Sequence, residues 1–408
     1  MIKDLAARVQ RIKPSPTIAV AARADELIRA GKSIISLSVG EPDFDTPEHI
    51  KAAAIQAIQQ GITKYTAVDG TLGLKQAIIN KFLRDNKLHY TQDQILVSCG
   101  AKHSIYNMLA ALINPGDEVI IPAPYWVSYP DMVKLVDAEP VIVKTDFEQQ
   151  FKMTPAQLEA AITPRTRLVI LNSPANPTGI AYTAAELTLL GDVLLKYPNV
   201  AIATDDIYEH TLWGQPTFSN ILMACPTLYD RCIVINGVSK SYAMTGWRIG
   251  YAAGPSKIIA AMKKIQSQCT SNPTSISQVA AEAALNGDQS CITLMTNAYK
   301  ERHDYMLEQL NSMPGVKCLA GNGTFYNFPC VNELLARTKT IHNDIELSEY
   351  LLTDAEIAVI PGSAFGTPGF LRLSYATSMN NIQKAMQQMR HSIEKLLKIK
   401  IDAGNIQY

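Results

Sequence analysis

The sequence predicts an α/β protein: a large domain with a mostly parallel central sheet between helices, and a smaller α+β domain made from both termini. Three observations carry that prediction. The chain has 408 residues, 47% of them hydrophobic, enough to bury a sizeable core and to divide into more than one domain. Six short apolar runs alternate with amphipathic stretches through its middle. From about Asn297 that alternation gives way to one long amphipathic stretch and then to short strands.

The six runs are Ile95-Leu96-Val97, Val119-Ile120-Ile121, Leu168-Val169-Ile170-Leu171, Val200-Ala201-Ile202-Ala203, Ile233-Val234-Ile235 and Ile249-Gly250-Tyr251. Apolar runs of this length, bounded by Gly and Pro, read as strands buried on both faces, and the helical patterns between them make the sheet mostly parallel. Polar or glycine-rich sequence follows, as in Ser98-Cys99-Gly100-Ala101-Lys102, Asn172-Ser173-Pro174-Ala175-Asn176-Pro177, Thr204-Asp205-Asp206 and Asn236-Gly237-Val238-Ser239-Lys240. Functional loops of such sheets gather at the carboxyl ends of the strands. Beyond Asn297 the pattern predicts a long helix through Arg302 and Leu310, short strands near 324–329, 358–360 and 371–375, and a closing helix over about 380–398. The expected division is 1–45 as an N-terminal arm and part of the small domain, 46–296 as the large domain, and 297–408 as the rest of the small domain.

Composition excludes several classes. Lysine plus arginine equals aspartate plus glutamate, 37 of each, so no net field favours nucleic acid or an anionic membrane. No apolar run is long enough to span a bilayer, and the start, Met1-Ile2-Lys3-Asp4-Leu5, lacks the apolar stretch of a secretory signal. Seven cysteines without a CxxC pair suit reduced thiols and a cytoplasmic location. The seven histidines show no ligand-like spacing, so no metal is expected, and no GxGxxG follows the early strands. Asn322-Gly323-Thr324 matches a glycosylation sequon but reads as a turn.

Lys240 stands out among residues that could carry chemistry. A lysine after a strand is ordinarily a solvated cation. Here it lies between small residues at a strand exit, and Met244 to Tyr251 returns to apolar sequence around a single arginine, Arg248. A desolvated lysine loses its proton readily and attacks carbonyls, and a fixed arginine suits a phosphate. Gly100-Ala101-Lys102, opening a helix after a strand, offers backbone N–H groups to an anion, although an ordinary turn has the same sequence. Asp205 and Asp206 at a strand end point to opposite faces, and either could simply cap a helix.

The segment Gly237-Val238-Ser239-Lys240 through Gly250 resembles the lysine signature of the class I aminotransferases, which use pyridoxal 5′-phosphate. Four further motifs stand in the family's order: Gly40-Glu41-Pro42-Asp43-Phe44, Asn172-Ser173-Pro174 through Gly179, Asp205-Asp206-Ile207-Tyr208, and Arg372-Leu373-Ser374-Tyr375. The resemblance spans nearly the whole chain and implies the fold-type I architecture of these transferases. It implies that Lys240 bonds the cofactor aldehyde and moves the proton, that Arg248 holds the phosphate and that Asp205 pairs with the pyridine nitrogen. Asn176 and Tyr208 resemble the pair that hydrogen-bonds the ring oxygen, and Trp126 the aromatic that stacks on the ring, with Tyr125 its rival. Gly100, Ala101 and Lys102 form the phosphate turn, with Ala101 where many members have a hydroxyl. Gly237 likewise replaces a phosphate-binding serine of some relatives. Tyr65 resembles a tyrosine that reaches the phosphate from a neighbouring subunit, which implies a homodimer.

On the substrate side, Arg372 resembles the arginine that grips the α-carboxylate, and Gly40 a backbone contact; Trp126 and Asn176 serve substrate as well as cofactor. The opening segment Lys13-Pro14-Ser15-Pro16-Thr17 and Lys102 resemble the cationic and hydroxyl contacts of one branch, the bacterial aspartate and aspartate/prephenate enzymes. The implied reaction is amino transfer between L-aspartate and 2-oxoglutarate by a ping-pong mechanism. Prephenate or aromatic transamination, or β-elimination on the same cofactor, is the alternative.

Overall fold

The computed structural model describes residues 5–14 and 16–398; Ser15 of the opening segment and Met1 to Asp4 of the amino-terminal reading lie outside the described residues. Strand β1 is Ile35–Ser36. A seven-stranded sheet follows, from β2 (Ile95–Ser98), β3 (Glu118–Ala123), β4 (Glu139–Lys144), β5 (Thr166–Asn172), β6 (Ala201–Asp205), β7 (Cys232–Gly237) and β8 (Gly250–Ala253). Its order is β2-β8-β7-β6-β5-β3-β4. β8 runs antiparallel to both β2 and β7, and the other pairings are parallel, as a mostly parallel sheet requires.

Alternation along the strands builds two cores. Ile95 and Val97 join Ile78, Leu190 and Ala281 on one face, from the helices Leu72–Lys81, Ala184–Leu195 and Ser275–Asn286. Leu96, between them, points to the opposite face with Ile105 and Met108 of the helix Ala101–Leu112 and Met262 of the helix Ser256–Cys269. Burial on both sides is why these strands read as continuous apolar runs. β4 is the sheet strand that the six runs miss. It lies at the edge, exposes Glu139 and Lys144, and contains Pro140, whose missing N–H an edge strand accommodates.

Chain termini meet in a third core. β1 pairs in parallel with β10 (Ile357–Ala358), while β9 (Tyr326–Asn327), β12 (Leu371–Ser374) and β11 (Ile360–Pro361) form an antiparallel sheet with β12 central. Leu37 is buried with Leu351, Leu373 and Met386, the last from the closing helix Met379–Leu396. Ala24 of the helix Pro16–Arg29 packs with Leu352 and Ala358. The long helix spans Ser290–Asn311 and so begins before Asn297; Asp288, one residue ahead of its N-cap Gln289, accepts from the Ser290 N–H at 3.1 Å. No helix among the described residues is long and apolar enough to cross a membrane.

Candidate active site

A cavity of about 470 Å³ opens at the carboxyl ends of the parallel strands, between the large sheet and the packed termini. Thr17, Ile18 and Gly40 line it from the amino-terminal side, Tyr326 and Arg372 from the carboxyl-terminal side. The sheet contributes the rest through the loops after its strands. Of the residues singled out in the sequence, Gly40, Ala101, Lys102, Trp126, Asn176, Asp205, Tyr208, Lys240, Arg248 and Arg372 all line this one cavity.

Lys240 follows β7 and its Nζ donates to the Gly40 carbonyl oxygen at 2.6 Å. Burial pulls its pKa down to about 8; Arg372 and Arg248 push the same way, against Glu41 and Asp205. A lysine so placed gives up its proton more readily than a solvated one, as a carbonyl-attacking amine needs.

Asp205 ends β6. One carboxylate oxygen accepts from the Tyr129 hydroxyl at 2.6 Å, the other from the Ile207 N–H at 3.3 Å. Burial raises its pKa to about 6, opposed by the Tyr129 and Ile207 bonds and by Lys240. Asp206 turns to the other side, where Thr204 and Asn220 donate to it, both at 2.6 Å, and it is absent from the cavity lining. The pleat thus separates the two acids that the sequence left as rivals.

At the mouth of the helix Ala101–Leu112, Gly100 is the N-cap with φ +90°. A Cβ there would stand 2.3 Å from Arg248 Nη2, and one on Gly250 would stand 2.1 Å from the Ala101 nitrogen. Two glycines therefore let a guanidinium and a strand press against a helix amino terminus. Arg248 donates to the carbonyls of Thr245 at 2.8 Å and Cys99 at 3.4 Å. It has no carboxylate partner among the described residues. A cation with free capacity beside first-turn amides is an anion cradle. Trp126 faces the cavity with Lys102 Nζ 4.8 Å from its ring centre. Tyr125 does not line it; its ring packs against Gly366.

Arg372 is 3% exposed, on β12. Its Nη1 donates to Asn176 Oδ1 at 3.2 Å and its Nη2 to the Ser38 carbonyl at 2.6 Å, while Nε has no partner. Tyr326 and Phe365 rings lie 4.4 and 5.2 Å from the guanidinium carbon. No acidic side chain pairs with it among the described residues, so the structural ion pair that such an arginine could have made is absent. A buried, unpaired guanidinium facing a cavity is costly unless an anion completes it. Tyr208 hydroxyl meets Tyr326 hydroxyl at 3.0 Å, and burial raises both phenols, so both stay neutral donors.

Besides the rivals Asp206 and Tyr125, three of the expected site residues lie outside the lining. Gly100 acts from behind, through the room it leaves Arg248. Lys13 is exposed. Tyr65 is 92% exposed, and Ile62, Ile58 and Ile55 are exposed nearby in sequence. The structure adds residues that the sequence did not single out. Tyr129 bonds Asp205, Tyr326 bridges Tyr208 and Arg372, and Asn172 donates to the Asp205 carbonyl at 2.8 Å and accepts from the Asn176 N–H at 3.0 Å. Tyr129 falls three residues after Trp126, but its helix is short and a buried tyrosine there reads as core.

Behind the cavity, Asp85, Glu209 and His210 bring ligand-type atoms within 4.8 Å of one another. The Lys81 ammonium pairs with Glu209 there, Asn86 and Asn236 amides donate to Glu209 at 2.9 and 2.8 Å, and His210 bridges Asp85 and Ser241. The group is a partly buried network of ion pairs and hydrogen bonds that ties the loop carrying Tyr208 to the loop carrying Lys240.

The sequence model of the class I and II aminotransferases matches residues 32–389. The chain is 57% identical over 390 residues to an aspartate/prephenate aminotransferase of Nitrosomonas europaea, covering 94% of this chain and 98% of that protein. It is similar to the crystal structure of the aspartate aminotransferase of Rhizobium meliloti, with a TM-score of 0.93 and 46% identity, covering 96% of this chain and 99% of that one. It also matches the Thermus thermophilus aspartate aminotransferase solved with maleate, at a TM-score of 0.90 and 39% identity, over 96% of this chain and 100% of that one. With a lysine, an aspartate and an unpaired arginine converging on one cavity, the chain belongs to the class I and II aminotransferases.

Proposed function

We propose that this protein is a pyridoxal 5′-phosphate-dependent aspartate aminotransferase, moving the amino group from L-aspartate to 2-oxoglutarate in two half-reactions on one site. The observation that carries the reading is Arg372, a buried guanidinium with no acidic partner among the described residues, which lines the same cavity as Lys240. The residues fit the cofactor: the Gly100 and Arg248 cradle suits its phosphate, Asp205 its ring nitrogen, Asn176 and Tyr208 its ring oxygen, and Trp126 its face. When bound, that group supplies a carbonyl for Lys240 and a conjugated cation that accepts the electron pair of a broken Cα–H bond.

The chain's own groups do the rest. Arg372 grips the substrate α-carboxylate through its planar fork and so fixes the direction of the Cα–H bond, with Asn176 and Ser38 holding the guanidinium in place. Lys240 Nζ would serve as the free amine that takes the α-proton and holds it for return. Asp205 keeps positive charge at the ring nitrogen favourable. Lys102, with Thr17 on the facing wall, meets the distal carboxylate; the maleate carried by the Thermus thermophilus enzyme is a dicarboxylate of that kind. Prephenate is a second acceptor, since the Nitrosomonas europaea relative carries it in its name. Exposed Tyr65 serves the phosphate of a second copy in a homodimer. Seven free cysteines support a reducing, cytoplasmic setting.

The test is Lys240→Ala against the unaltered protein. The unaltered protein binds the cofactor covalently, with visible or near-ultraviolet absorbance, and transaminates aspartate; the variant loses both. A variant with normal turnover removes the mechanism. A donor and acceptor panel including prephenate fixes the substrate range.

A further inference from the structure

Tyr129 lies on the helix Ser128–Leu135, is 2% exposed, and its hydroxyl has one hydrogen-bond partner among the described residues, Asp205. The contact, at 2.6 Å, has the length of a charge-assisted O–H···O bond. Its ring is held edge-on against Trp126, centres 5.3 Å apart, and its N–H donates to the Trp126 carbonyl at 3.0 Å, so the wall that faces the ligand and the group behind Asp205 share the turn that leads into the helix. Burial alone favours the protonated, uncharged form of Asp205. A neutral acid facing a ring nitrogen leaves the proton on the acid; an anionic one leaves it on the nitrogen.

We propose that Tyr129 is a positioning residue: by donating to Asp205, it holds that carboxylate charged and in one orientation, so that the shared proton resides on the cofactor's ring nitrogen. This rests on the reading that Asp205 faces that nitrogen. The other charged and titratable groups around Asp205 act beside it: Lys240 from the loop after β7 favours the anion, while Asp206 and Tyr208 come from its own loop. The hydroxyl of Tyr129 is the side-chain donor that meets a carboxylate oxygen of Asp205 directly.

The experiment loads the protein with cofactor labelled with ¹⁵N in the ring and records the nitrogen chemical shift at pH 8 in the unaltered protein, Tyr129→Phe and Asp205→Ala. Phe keeps the ring and its contact with Trp126, and melting curves of the cofactor-free proteins check that it folds. The unaltered protein gives a pyridinium-like shift, Asp205→Ala an unprotonated one, and Tyr129→Phe a value displaced clearly toward that of Asp205→Ala. In steady state, Tyr129→Phe lowers kcat for aspartate by about tenfold or more and leaves KM within about threefold, because Arg372 and Asn176 are untouched. A native nitrogen shift in Tyr129→Phe, with the shift lost in Asp205→Ala, overturns this inference alone. A native shift in Asp205→Ala overturns the assignment of Asp205 itself. Equal changes in kcat and KM with an unmoved shift mean that Tyr129 only packs.

Discussion

Replacing Arg372 by lysine keeps one positive charge and removes the fork. In the structure the guanidinium spends one N–H of Nη1 on Asn176 and one of Nη2 on Ser38, and leaves the other N–H of each for a ligand. Two bonds to an α-carboxylate, each worth about 1.5–3 kcal/mol when charged, give roughly 3–6 kcal/mol. A lysine at this depth makes one of them, so about 1.5–3 kcal/mol of transition-state stabilisation is lost, or roughly 10- to 100-fold in kcat/KM for aspartate. Leucine loses both and leaves the Asn176 and Ser38 oxygens without their donor, for a fall of about 10³-fold or more. The assay is steady-state kinetics with aspartate and 2-oxoglutarate, with the circular dichroism of each variant compared to the parent. If Arg372→Lys stays within about threefold of the parent, Arg372 is not the carboxylate clamp.

Gly100→Ala places a methyl 2.3 Å from Arg248 Nη2 at a φ of +90°, a strain of about 1–3 kcal/mol; it weakens retention of the cofactor, measured as its dissociation constant from the refolded apoprotein. Lys81→Met leaves Glu209 buried and unpaired, and lowers unfolding stability by about 3–5 kcal/mol in denaturant titrations, while Lys81→Met with Glu209→Gln recovers part of the loss. The last prediction concerns pH. Lys240 titrates near 8 when folded without cofactor and near 10.5 when unfolded, so between those values the unfolded chain holds the extra proton and stability rises with pH. Lys240→Met, which has nothing to desolvate, is therefore the more heat-stable apoprotein at pH 7, with a lead that shrinks from pH 8 to 10.5; a constant difference refutes the desolvated-lysine argument.

The strand runs were legible because burial on both faces strips polar residues from the central strands. β4 was not, since an edge strand keeps Glu139 and Lys144 in solvent and can accommodate Pro140. Lys240, Asp205 and Arg372 were readable from ordered motifs, and the structure brings them to one cavity. Tyr129 and Tyr326 were not, because their importance comes from partners distant in sequence: Tyr129 meets Asp205 across 76 positions, and the hydroxyls of Tyr208 and Tyr326 meet across 118. No local pattern distinguishes such a tyrosine from ordinary core. Tyr65 and Lys13 are both exposed and do not line this chain's own cavity, so no contact within this chain speaks to either.

The back-to-back arrangement of Asp205 and Asp206 constrains how β6 can change length. Deleting one residue upstream would swing Asp206 toward the ligand and put Asp205 at the register position of Thr204 on the opposite face, and would invert the inward and outward faces of Ile202 and Ala203 together. Insertions and deletions in this segment therefore have to come in even numbers to preserve both the acid facing the ligand and the two apolar layers, a parity rule that a library of length variants of residues 201–205 can check directly.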